Sequence, residues 1–154
     1  MNLAENFSIV EAIQPQAGGA ITGDYISLKK TGHVSVMVHI TQATADVVAI
    51  TLEQATAVAG TGSKALAVDV PIFLVADTAT SDLLVAQTPG VAYTTLAAAK
   101  HKIVVFEVPA EALDLANGFD CLTVKTAASH ASNLTSAVYI CGLRRYGAES
   151  LIVD

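Results

Sequence analysis

Four histidines, two cysteines and one glycine-rich loop are the residues of this chain best suited to chemistry. Histidines bind a metal ion when two or more converge with carboxylates or thiolates. His33 and His39 fall on one face of an alternating segment, but six residues of strand rise set them about 20 Å apart. They cannot share an ion. His101 and His130 would need carboxylates from elsewhere, and neither HExxH nor CxxC occurs. Gly60-Thr61-Gly62-Ser63-Lys64 faintly suggests a phosphate loop without that loop's spacing. The nest needs four residues between its glycines and a lysine directly after the second, where Ser63 stands here. A tight turn explains it better. Cys121 and Cys141 lack the context of a cysteine nucleophile, and GxSxG is absent. They are expected as free, buried thiols packed like small hydrophobes, with pairing open if their strands are neighbours. Asp114 and Asp120 flank a predicted helix end and are expected to make ordinary solvated contacts. Asn6-Phe7-Ser8 and Asn133-Leu134-Thr135 match a glycosylation sequon that matters only on a secreted chain. These residues predict no enzyme, no cofactor and no metal site.

Composition narrows the class further. The chain has 154 residues, 53% of them hydrophobic and only 14% charged, with no tryptophan. So little charge covers the surface poorly, which predicts that some apolar surface meets another protein. The net charge is −6, and the eight lysines and arginines are scattered. A nucleic-acid binder wants a positive field over one surface, so no nucleic-acid partner is expected. The longest apolar run, Val70-Pro71-Ile72-Phe73-Leu74-Val75-Ala76, lies between Asp69 and Asp77 and is far short of a membrane span. No membrane partner is expected. Met1-Asn2-Leu3-Ala4-Glu5 lacks the basic and apolar regions of a secretion signal, so synthesis in a cytoplasm is expected.

The elements that would position these residues are strands. Val34, Val36, Val38 and Ile40 alternate with His33, Ser35, Met37 and His39, the period of a strand with one face buried. Val48, Ile50 and Leu52 repeat the pattern, as do Val104, Phe106 and Val108. Further strands are expected over 21–28, 64–75 with a break near Pro71, about 83–85, 119–126 and 134–141. Residues 76–100 read less clearly, with loops at 78–81 and Pro89-Gly90. Pro109 and Glu111 open a short helix near 109–117 that Asn117-Gly118 closes. The prediction is an all-β chain: an antiparallel β-sandwich, jelly-roll-like, with one short helix. Residues 1–19 form an N-terminal arm or edge strand ended by Pro15 and Gly18-Gly19, 20–142 the sandwich, and 143–154 a C-terminal tail.

Several segments carry a resemblance: Asn6-Phe7-Ser8-Ile9-Val10-Glu11-Ala12-Ile13, the stretch 21–29, Leu113-Asp114-Leu115-Ala116-Asn117-Gly118-Phe119-Asp120-Cys121, and Leu143-Arg144-Arg145-Tyr146-Gly147. Over most of its length the chain resembles small structural proteins of tailed-bacteriophage and prophage virions, of the capsid decoration (cement) type. The resemblance implies a non-enzymatic subunit made in the bacterial host and carried on the capsid surface. Its implied partners are the phage major capsid protein and further copies of itself, as a dimer or trimer. Candidate contacts are Leu3, Phe7, Ile9 and Val10 in the arm and Arg144, Arg145 and Tyr146 in the tail; the alternative is an ordinary first strand and a solvated turn. A tail or head–tail joining role, and a carbohydrate-binding sandwich, are the competing functions. Few aromatics are available to stack on sugars.

Overall fold

The computed structural model describes residues 6–144, which form two antiparallel sheets packed face to face. Twelve strands build them: β1 (Ser8–Ala17), β2 (Ile21–Thr22), β3 (Ile26–Ser27), β4 (Thr31–Thr41), β5 (Ala49–Ala55), β6 (Lys64–Ala65), β7 (Val70–Val75), β8 (Val85–Gly90), β9 (Ala92–Thr94), β10 (His101–Pro109), β11 (Cys121–Thr126) and β12 (Leu134–Arg144). The front sheet runs β1-β12-β4-β10-β7-β8. The back sheet runs β2-β11-β5-β6, with β3 also on β11 and β9 also on β5. Most connections cross from one sheet to the other, the winding of a jelly roll. No helix of the described residues is long and apolar enough to cross a membrane.

Alternation sets the core as expected. Val34, Val36, Val38, Ile40, Val104, Phe106 and Val108 are wholly buried from the front, and Ile50, Leu52, Leu122 and Val124 meet them from the back. Tyr139 joins the layers: its hydroxyl donates to the Asp24 carbonyl at 2.8 Å and accepts from the Val124 amide at 3.1 Å. Gln54 ties the back sheet to the turns after β10, its amide donating to the Ala65 carbonyl and its carbonyl accepting from the Asp114 amide at 2.7 Å.

Five expectations need correction. The helix near 109–117 is instead two 3-10 turns, Ala110–Ala112 and Leu115–Asn117, parted by Leu113 in extended conformation. Ala110, Ala112 and Leu113 are all buried, and positions spaced by two and one do not fall on one helical stripe. Burial wins over a helix too short to stand alone. Gly118, at φ 80°, remains the stop. Pro15 does not end the first segment: β1 continues to Ala17 because it is an edge strand, bulged on both sides of Ile13, where a missing N–H costs nothing. Pro89 and Gly90 likewise lie within edge strand β8, not in a loop. The break in 64–75 falls before Pro71, which sits inside β7 opposite a register shift. β12 continues past residue 142 to Arg144, pairing there with Thr31.

Candidate functional site

The residues that first suggest chemistry are dispersed. His33 and His39 stand near opposite ends of β4, His101 Nδ1 lies 3.2 Å from Thr41 Oγ1, and His130 Nδ1 accepts from the Ser132 amide. Among the described residues no three His, Cys, Asp or Glu side chains converge on one point. Cys121 and Cys141 are free, one in each sheet. Burial, with Asp120 beside it, pushes the Cys121 thiol up to about 12, and burial pushes Cys141 up to about 11. Neither supplies a thiolate near neutral pH. Asp114 pairs with Lys64 at 2.7 Å and Asp120 with Lys29 at 3.1 Å, so the two acids serve separate contacts. In the 60–64 loop, Gly60 and Gly62 take positive φ and Ser63 is held between Tyr25 and Glu53, as a turn requires. Asn133 of the second sequon is wholly buried, clamping the 43–46 loop through the Ala43 and Thr44 amides and the Asp46 carbonyl.

One grouping escaped the sequence. Ser35 Oγ donates to Glu107 Oε2 at 2.6 Å, and His33 Nε2 lies 3.2 Å from the same oxygen. Serine, histidine and carboxylate are thus together on an outer sheet face. A hydrolytic triad passes the serine proton to histidine, with the acid behind it. Here both groups converge on the acid, so His33 is not placed as a base for Ser35. The trio is a surface polar network.

The register does assemble an extended apolar surface. Across the outer side of the front sheet, Val138, Met37, Val105, Phe73 and Ala86 stand opposite one another in a single row over β12, β4, β10, β7 and β8. The row ends at Glu11 on β1, and the flanking rows are mixed: Ile9, Ile140, Ser35 and Glu107 on one side, Ser136, His39, Ile103 and Val75 on the other. Val105 and Val75 are buried yet lie outside the core cluster, covered by their outer-face neighbours. The outer side of the back sheet carries Thr22, Lys125, Thr51 and Ala92 in one row, and Glu53 and Ala65 beside a covered Thr123 in another. Antiparallel sandwiches ordinarily turn such polar residues outward. The front face departs from that rule along its central row. A signal was available: in Ile103-Val104-Val105-Phe106 both parities are apolar, the mark of a strand covered on two sides.

A second feature lies at the end of the sandwich where β4 and β7 finish and β10 begins. A cavity of about 290 Å³ is lined by Leu74, Ala76, Leu96 and Ala98, with Asp77, Thr80, Lys100 and Lys102. Lys102 shares the inward parity of Val104 and is 3% exposed. Its three ammonium protons go to Gln42 Oε1 at 2.8 Å, the Leu96 carbonyl at 3.0 Å and the Ala98 carbonyl at 2.6 Å. Burial lowers the amine's pKa, partly offset by Asp77. Lys102 fastens the 95–99 loop with its donors used up. Lys100 pairs with Asp77 at 2.5 Å, which holds that carboxyl below its usual range.

The expected contact residues divide. Ile9 is 54% exposed on the outer front face, and the Phe7 ring lies against Gly142, where a Cβ would come within 2.8 Å of it. Val10 turns inward and packs on the core. Arg144 ends β12. Leu3, Arg145 and Tyr146 lie outside the described residues.

In fold the chain is similar to the SPBc2 prophage-derived protein YomS, whose crystal structure superposes with a TM-score of 0.50 at 9% sequence identity, over 89% of this chain and 94% of that one. At that identity the likeness is one of fold. No protein-family model and no curated protein matches the chain.

Proposed function

We propose that this protein is a non-enzymatic structural component of a tailed-phage or prophage virion, a capsid decoration (cement) subunit. In this reading the outer front face docks on the major capsid protein of the assembled head, many copies cover the shell, and the protein resides on the capsid surface. The observation that carries the proposal is the apolar row Val138, Met37, Val105, Phe73 and Ala86 on a face that a free-standing sandwich keeps polar. The prophage origin of a protein similar in fold supports the setting. Affinity per copy is modest. Half-buried aliphatics gain about 1 kcal/mol each on full burial, and association entropy consumes much of the sum. A lattice of adjacent sites compensates, because neighbouring subunits hold one another in place.

The test mixes purified protein with intact heads and with isolated tails of the encoding phage, then pellets the particles. Saturable binding to heads alone is expected, with slower head rupture on heating. Binding to tails alone would move the protein to a tail or joining role, and binding to neither would remove it from the virion surface.

A further inference from the structure

We propose that the corner cavity beside Lys100 receives residues 149–154 of a second copy, so that copies join head to tail. The inference stands apart from the shell-binding reading and uses a different surface. The cavity of about 290 Å³ is apolar on Leu74, Ala76, Leu96 and Ala98. It lies near the lower bound of about 300 Å³ for ligand pockets, room for a few aliphatic side chains. Leu96 on its wall is 68% exposed, and Val85, directly opposite Leu74 in the register, is also exposed. Leu83 (70% exposed) and Leu84 immediately precede Val85, so four large aliphatics face outward around one corner. Isolated exposed aliphatics are ordinary, but a cluster with a cavity beside it is a contact site.

Charge selects the occupant. Lys100 and Lys102 outnumber Asp77 at this corner, an excess of positive charge on a chain whose net charge is −6. Lys102 has no free donor, whereas Lys100 gives one proton to Asp77 and keeps two for a partner's carboxylate. The chain continues past Arg144 with residues 149–154, Glu149-Ser150-Leu151-Ile152-Val153-Asp154, three aliphatics between two carboxylates. Aliphatics suit the cavity and a carboxylate suits Lys100.

Reach decides whose segment it is. Arg144 pairs with Thr31 at one end of β4, while Lys102 pairs with Ile40 near the other. Nine residues of strand put these ends about 30 Å apart, and two strand spacings add about 10 Å sideways. Leu151 is seven residues beyond Arg144 and reaches about 25 Å at full extension, Ile152 about 29 Å. Val153 matches the separation of about 32 Å only if every residue is fully extended along a straight line, so a chain cannot fill its own cavity with Leu151 and Ile152. The segment therefore comes from another copy, and the contact is heterologous, propagating into rings or rows.

Sedimentation velocity on the full chain tests this without any phage particle. The wild type is expected to self-associate with rising concentration. Ile152→Asp spoils the segment and Leu96→Asp spoils the cavity wall, and each should weaken association at least about tenfold. Circular dichroism should match the wild type, since Leu96 is mostly exposed. Mixing the two variants is the decisive step: Ile152→Asp keeps an intact cavity and Leu96→Asp an intact segment, so together they should form a one-to-one dimer and stop there. A wild type that stays monomeric to about 1 mM, variants that associate like the wild type, or a mixture that remains monomeric would each overturn the proposal.

Discussion

At the centre of the back sheet's outer face, Lys125 meets Glu53 at 2.5 Å and Ser63 and Tyr25 extend the contact; at the centre of the front sheet's outer face stand Met37 and Val105. The two faces share a pleated backbone, and each backs onto the same aliphatic core. Fold stability requires only the inner sides. Nothing in the core asks for valine at 138, methionine at 37 or phenylalanine at 73, because those side chains point away from it. The back face shows that this sandwich tolerates lysine, glutamate and threonine at equivalent places. The apolar central row is therefore not a requirement of folding, and in the proposed reading it is the contact with the shell.

Putting a charge on each face in turn is the sharpest way to break the contrast. Met37→Glu is expected to cut head occupancy by about thirty- to a hundredfold, the effect of roughly 2–3 kcal/mol for an unpaired carboxylate at an apolar contact. Thr51→Glu, on the back face, should leave occupancy unchanged. Quantitative gels of pelleted heads read both, and urea unfolding should show both variants folded. Equal losses from the two substitutions would mean that the faces do not differ in function.

The inner sides supply the next effect. Lys102→Met keeps the stem and removes the ammonium group. The Ala98 carbonyl then loses its Lys102 donor, whereas Gln42 Oε1 and the Leu96 carbonyl keep those from Thr95 and from the Gln42 amide. Loss of the ammonium's three charged hydrogen bonds, partly offset by relief of its desolvation, should lower stability by about 2 kcal/mol, measured by urea unfolding. A smaller change follows from Tyr139→Phe, which leaves the Val124 amide without the hydroxyl acceptor that spans the two sheets. About 1–2 kcal/mol is expected, with hydrogen exchange at Val124 accelerated.

How far all this was visible in the sequence depends on whether a feature lives within one strand or between strands. The buried faces of β4, β5 and β10 follow from period two alone, and the jelly-roll class follows from their number and spacing. The front row does not, because its five residues come from five separated segments and meet only through register. Lys102 was half visible: its parity matches Val104 and Phe106, but the carbonyls that make a buried ammonium tolerable belong to a loop whose path no local pattern specifies. The helix expected near 109–117 failed for a related reason, since Leu113 answers to the core rather than to its neighbours in sequence. Contact residues were anticipated at the chain ends, where Ile9 does adjoin the apolar face, but the middle of the chain supplies most of that face.

The smallest expected effect returns to the back face and uses pH. Burial tends to raise the Glu53 carboxyl, but hydrogen bonds from Lys125 and Ser63 outweigh it and hold the group below its ordinary 4.5. A carboxylate whose pKa falls on folding contributes stability above its unfolded value and loses it as the pH drops through the folded value. The Glu53–Lys125 pair should therefore support the fold fully above about pH 5 and fade below pH 4. Glu53→Gln removes that dependence. The difference in unfolding free energy between wild type and variant, from urea titrations, should be small at pH 7, within about 1 kcal/mol for a partly exposed pair, and should shrink toward zero near pH 3. A gap that persists at low pH would mean that packing, not charge, ties Glu53 to Lys125. The back face would then be less a solvated surface than its charges suggest, and the contrast with the front would narrow.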